Sequence, residues 1–168
     1  PIVLAILTQP LLGLVDTAIA GHLPDTAALG GVALGALIFS LLFWAFGFLR
    51  MGTSALTAQA HGAGDGVALR AGLVRAMVIA CLIGLALVAC QGPLLATLIE
   101  LLQPSDAAQA QALAYSHARI WSAPFALTNY VILGYLLGIQ QVRAALVLQV
   151  LINLVNVAVV TAFVYGLG

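Results

Sequence analysis

Charge is scarce in this sequence: 168 residues carry five acidic and five basic side chains, lysine is absent, and every basic residue is an arginine. A charged share of 6%, against roughly 25% in soluble domains, leaves no field to hold nucleic acid and no polybasic patch for a membrane surface. Cysteine is nearly absent too. Cys81 and Cys90 share one apolar run, and at about 100° per residue they point to opposite faces of a helix. That excludes a bond between them and leaves inert, buried thiols as the expectation. No pair among His22, His61 and His117 has metal-ligand spacing, and no nucleophile stands beside a base. No catalytic site, metal or cofactor is therefore expected.

What the sequence has is hydrophobic surface, at 64% of residues, the composition of an integral, all-α membrane bundle embedded in the lipid bilayer. About 20 residues at 1.5 Å each cross a hydrocarbon core of roughly 30 Å. Five spans are expected on that basis, at about 1–21, 32–60, 67–100, 107–139 and 143–166. The breaks between them carry turn and cap chemistry: His22-Leu-Pro-Asp25, His61-Gly-Ala-Gly-Asp-Gly66, Gln103-Pro-Ser-Asp106 and Gln140-Gln-Val-Arg143. Several spans exceed the core, so tilt or projection is expected, with Asp106–His117 standing partly outside the lipid. The chain opens at Pro1 directly inside an apolar run without a basic leading region, which reads as a spanning helix and not a signal peptide. A piece of a longer protein is expected.

Arginines set the expected orientation. Arg70 and Arg75 flank the second connection and Arg143 sits in the fourth, whereas the first and third connections have none. By the positive-inside rule the amino terminus and the even connections face the cytoplasm.

Asp16 is the leading functional residue, a carboxylate inside the apolar segment Pro10-Leu-Leu-Gly-Leu-Val-Asp-Thr-Ala-Ile-Ala-Gly21. An ionisable group at the centre of a membrane helix costs roughly 2.5–3.5 kcal/mol on insertion scales, so it faces protein or a watery cavity. Gln9 shares its helix face. On the fifth span Gln149, Asn153 and Asn156 are spaced four and three apart and form a polar stripe at compatible depth. The structural alternative for such amides is interhelical bonding, about 0.6 kcal/mol per contact.

Two further stripes are Arg50, Ser54, Thr57 and His61 on the second span, and Tyr115, Arg119, Ser122 and Asn129 on the fourth. Each can line a pathway, or its arginine can snorkel to the headgroups or pair structurally. Gly31-xxx-Gly35 and Gly134-xxx-Gly138 permit close helix approach. Pro10, Pro93 and Pro124 lie within spans, where a missing amide donor marks a bend.

Three ordered blocks carry a resemblance over essentially the whole chain. They are Gln9-Pro-Leu-Leu-Gly-Leu-Val-Asp-Thr-Ala-Ile-Ala-Gly-His22, Phe46-Gly-Phe-Leu-Arg-Met-Gly-Thr-Ser-Ala-Leu-Thr-Ala-Gln-Ala-His-Gly-Ala-Gly-Asp65 and Arg119-Ile-Trp-Ser-Ala-Pro-Phe-Ala-Leu-Thr-Asn-Tyr130. The sequence resembles the multidrug and toxic compound extrusion (MATE) family, and most of all its DinF-like branch. The resemblance implies twelve helices in two six-helix lobes, of which residues 1–168 would be an incomplete amino-terminal lobe that needs the parent's remaining helices.

It further implies a cation-coupled antiporter in a bacterial cytoplasmic (inner) membrane, exporting small organic, often cationic or amphipathic compounds. Asp16 matches the family's coupling aspartate, with Asn156, and Asn153 one turn earlier, as its expected companions. Gln9 matches a cavity glutamine, and Asn129, Tyr130 and Gln149 are expected to line the cavity with it. The sequence departs from the family's sodium-site pattern at Val160, where an aspartate would stand. One carboxylate with amide neighbours is a poor cage for a hard cation, so protons are expected in preference to sodium. The alternatives are a lipid-linked oligosaccharide flippase, which would call for more cationic residues than Arg50 and Arg119, and a non-transporting structural subunit.

Overall fold

The computed structural model describes residues 26–102 and 106–166, with side chains described over 30–102 and 108–159. Among the described residues seven α-helices follow one another: α1 (Thr26–Ala45), α2 (Gly47–Gly62), α3 (Gly66–Ala89), α4 (Gln91–Leu102), α5 (Asp106–Arg119), α6 (Ala123–Gly138) and α7 (Val142–Gly166), with a 3-10 turn at Ile120–Ser122 between α5 and α6. They group into four long rods, because α1 runs into α2, α3 into α4, and α5 through the 3-10 turn into α6. Each of the last four expected spans falls on one rod. The expected first span, 1–21, lies outside the described residues. By length and composition Gly30–Gly62, Gly66–Ala89, Ala108–Gly138 and Val142–Val159 suffice to cross a bilayer.

The breaks inside the rods have local causes. Pro124 has no amide to offer the Ile120 carbonyl, and the Ala123 amide takes that carbonyl instead, one residue short of α-helical spacing. Pro93 likewise leaves the Ala89 carbonyl without its helical donor, and the chain loosens at Cys90 before α4 begins. Thr97 and Thr128 each donate a hydroxyl to the proline carbonyl four residues earlier, at 2.9 and 2.7 Å.

The tight turn between α2 and α3 also follows from its residues. Gly64 takes a left-handed φ of +68°, and the Asp65 amide donates to the Ala60 carbonyl at 3.0 Å. The Asp65 carboxylate then accepts from the Val67 and Ala68 amides at 3.0 and 2.9 Å, capping α3. Between α6 and α7 the same closure recurs with Gln140 at φ 62° and the Gln141 amide on the Leu136 carbonyl at 2.8 Å. There a side-chain-bearing residue occupies a conformation that suits glycine.

Among the described residues two hydrophobic cores result. Ile38, Leu95, Ile99 and Ala112 join α1, α4 and α5, while Leu49, Ala80, Leu127 and Val131 join α2, α3 and α6. The first rod packs along the third with α1 on α5 and α2 on α6, so those two run parallel. The second rod returns between them in sequence and lies antiparallel against α2 and α6. Glycines set the spacing: a Cβ on Gly134 would lie 2.5 Å from the Arg50 carbonyl oxygen, and one on Gly138 would lie 2.5 Å from the Thr57 Cβ. Gly31 and Gly35 serve the other end of the same pairing, against Gln111 and Tyr115.

Cys81 and Cys90 are free, as expected, but both are exposed in this chain. The expectation of buried thiols is thereby corrected: the apolar run that holds them presents much of its surface outward from this chain.

Candidate functional site

Asp16 and Gln9 lie outside the described residues. The polar stripe expected to accompany them is on α7, the rod that packs most lightly, against α6. Gln149 is the buried member, at 7% exposure. Its amide donates to the Asn153 Oδ1 at 3.2 Å, a bond one turn along the same helix. Asn153 is half-buried and Asn156 exposed, so the stripe climbs from the bundle interior onto an open face. The two linked amides and Asn156 are the polar residues in a stretch of α7, 144–158, that is otherwise apolar.

The stripe Arg50, Ser54, Thr57 and His61 divides. Thr57 is buried, as is Thr53, which the spacing did not single out. A Cβ on Gly138 would lie 2.8 Å from the Ser54 carbonyl oxygen. This part of the stripe is a seam closed against α6 and not an open path. Arg50 is exposed. Tyr130 of α6 is half-buried against the α2–α3–α6 core. Asn129 is half-buried one residue earlier. His61 is exposed at the end of α2.

The stripe on α5 is occupied by a packing cluster. The Arg119 guanidinium donates to the Tyr115 hydroxyl, and it lies 5.4 Å from the Phe39 ring centroid and 5.5 Å from that of Tyr115. A guanidinium between two rings gains roughly 0.5–1 kcal/mol from each at an exposed site and more when desolvated. Arg119 thus joins α5 to α1. The Ser122 hydroxyl donates to the Arg119 carbonyl at 2.7 Å, which ties off the helix end before the 3-10 turn. Phe39 as the partner could not be read from spacing, since it depends on the register between two rods distant in sequence.

Among the described residues no group of three or more His, Cys, Asp or Glu could hold a metal ion. What the site offers is an amide ladder on α7, beside a bundle whose glycines bring the helices into close contact.

Residues 1–161 match the MatE family. The chain is 41% identical over 99% of its length to DNA damage-inducible protein F of Escherichia coli, covering 36% of that protein. It is 31% identical over 99% of its length to multidrug resistance protein PmpM of Pseudomonas aeruginosa, covering 35% of it. The chain therefore spans about a third of the length of these relatives. Two solved structures share its fold, each with a TM-score of 0.86 and 23% identity over 98% of this chain. One is a MOP superfamily transporter from Pyrococcus furiosus, of which 36% is covered. The other is a MATE protein in complex with MaD3S, of which 37% is covered.

Proposed function

The chain belongs to the MatE family, and from that membership we propose that it forms the amino-terminal part of an inner-membrane antiporter that expels organic compounds in exchange for protons. One relative is named for multidrug resistance, which supports export of organic compounds; that these are small and often cationic or amphipathic is what the family resemblance implies. The observation that carries the reading furthest is the ladder of Gln149, hydrogen-bonded to Asn153, leading to exposed Asn156 in a stretch of α7, 144–158, that is otherwise apolar. Such a polar face in lipid needs a protein or aqueous partner. Asp16 supplies the titratable group in this reading, and Gln9, Asn129, Tyr130 and Gln149 contribute to the drug cavity.

Protonation of Asp16 removes a charge from a low-dielectric setting. That change lets the first span repack and biases the lobe between outward-open and inward-open packings, with drug and proton competing for one cavity. Val160 in place of a second carboxylate is the reason for preferring protons to sodium. The oligosaccharide flippase fits less well, because Arg119 is already held by Tyr115 and Phe39, leaving Arg50 alone for a pyrophosphate.

The test is efflux from proteoliposomes holding the intact protein, under an imposed pH gradient and separately a sodium gradient, with wild type beside Asp16→Asn. Export driven by the pH gradient and lost in the variant is expected. Export driven by sodium alone overturns the proton assignment, and export indifferent to the substitution overturns the role of Asp16.

A further inference from the structure

The rods are too long for the bilayer. Gly30–Gly62 holds 33 residues and Ala108–Gly138 holds 31, about 50 and 46 Å of helix at 1.5 Å per residue, against a core of roughly 30 Å. Side-chain contacts fix where the excess lies. Gly138 meets Thr57, and Gly84 meets Pro124. Counting along antiparallel α3 and α6 from the second contact brings Gly138 level with Arg70. Thr57, Arg70 and Gly138 therefore share one level, and Arg143 follows just after the turn at Gln140, so this is where arginine marks a membrane surface.

About 20 residues from that level, the rods reach Leu37–Phe39, Cys90–Gln91 and Arg119. A polar layer lies there. The His117 Nδ1 and Gln91 Oε1 are 3.1 Å apart, linking α5 to α4, Arg119 rests on Phe39 and Tyr115, and Trp121 stands exposed beside it. Arginine and tryptophan at one depth are the residues of a lipid–water interface.

Beyond this layer the surface changes character. Toward the arginine-marked end, α3 exposes Val74, Met77, Val78, Ile79, Leu82 and Leu85. Between Gln91 and His117, among the described residues, Leu101 is the one exposed large apolar side chain. The exposed positions there include Thr97, Glu100, Gln111 and His117, together with alanines such as Ala96 and Ala114. Inside lies a core separate from that of the membrane part, with Ile38, Leu95, Ile99 and Ala112 buried among α1, α4 and α5. Helices apolar on one side and polar or small on the other are built to face water.

We propose that α4, α5 and the first half of α1 form a water-facing cap that stands outside the bilayer at the end away from Arg70, Arg75 and Arg143, with the lipid boundary at Gln91, His117 and Arg119. The expected spans 67–100 and 107–139 each then combine a membrane helix with a cap helix. The assignment is independent of the coupling ion and of what is transported.

The test uses the intact protein in membrane vesicles of both orientations, with Cys81 and Cys90 replaced by alanine. Single cysteines are introduced as Ala96→Cys and Ala114→Cys in the cap and Leu85→Cys in the lipid belt, and each is exposed to a charged, membrane-impermeant maleimide. Only a hydrated thiol ionises and reacts, so both cap positions should label roughly ten-fold or more faster than Leu85→Cys from one vesicle face. Cap positions that react no faster than Leu85→Cys from either face, yet label fully once dissolved in detergent, would overturn the proposal.

Discussion

Gly84 of α3 lies directly against the backbone of Pro124 at the start of α6. The contact joins the second rod to the third at the level where the third changes from 3-10 to α-helix, and it exists only because position 84 has no Cβ. A Cβ there would come within 2.7 Å of the Pro124 nitrogen, a distance that forces the helices apart. Gly84→Val should therefore lower stability by about 1–3 kcal/mol, the usual cost of overpacking. Thermal unfolding of the detergent-solubilised protein, followed by reactivity of its cysteines, reads this directly, and an unchanged midpoint would show that α3 and α6 are not held at this distance.

Asp65 closes the α2–α3 turn by accepting from two amides of α3. Asp65→Ala should cost about 1 kcal/mol, whereas Asp65→Ser, which restores a capping oxygen, should recover most of it. The same unfolding assay compares the two, and equal losses in both would argue that the carboxylate charge matters more than the cap.

Gln140 holds a φ of 62° in the turn that starts α7. Relief of that conformation by Gln140→Gly should raise stability by up to about 1 kcal/mol, and Gln140→Val should lower it by more. If both variants melt with wild type, the turn does not retain this conformation in the membrane protein.

Arg119, held by the Tyr115 hydroxyl of its own helix, binds α5 to α1 through the Phe39 ring. Arg119→Lys keeps the charge but loses the planar face, and should destabilise by about 1 kcal/mol. A double-mutant cycle with Phe39→Leu should show coupling of at least about 0.5 kcal/mol. Additive losses would break the link between the two rods at this point.

Much of the architecture was legible because its signals are local. Hydrophobic length located the rods, and Gly64 with Asp65 announced both the turn and the cap that follows it. The glycine pairs at 31 and 35 and at 134 and 138 pointed to close approach, and the structure supplies their partners. The helix breaks were only partly readable: Pro93 and Pro124 marked them, but each break falls earlier, at Cys90 and Ile120–Ser122, because it is the carbonyl four residues back that loses its donor. The break at Phe46 has no proline and left no comparable sign.

Site residues were harder. A stripe of Ser54 and Thr57 looks the same whether it lines a cavity or a seam, and only the glycines on the facing helix decide. Register across distant rods, which puts Phe39 under Arg119, is not encoded in either segment by itself. Asp16 and Gln9 lie outside the described residues, so their sequence reading stands on the apolar setting of the carboxylate and on the resemblance.

The parallel pairing of the first and third rods also constrains how the molecule can be made. Gly134 and Gly138 emerge from the ribosome long after Arg50 and Thr57, so α2 leaves the translocon with its buried-threonine face uncovered. That face must wait in lipid until α6 arrives and the returning second rod has been threaded into place. A slow or mis-threaded second rod would leave the threonine seam of α2 and the glycine seam of α6 apart from each other.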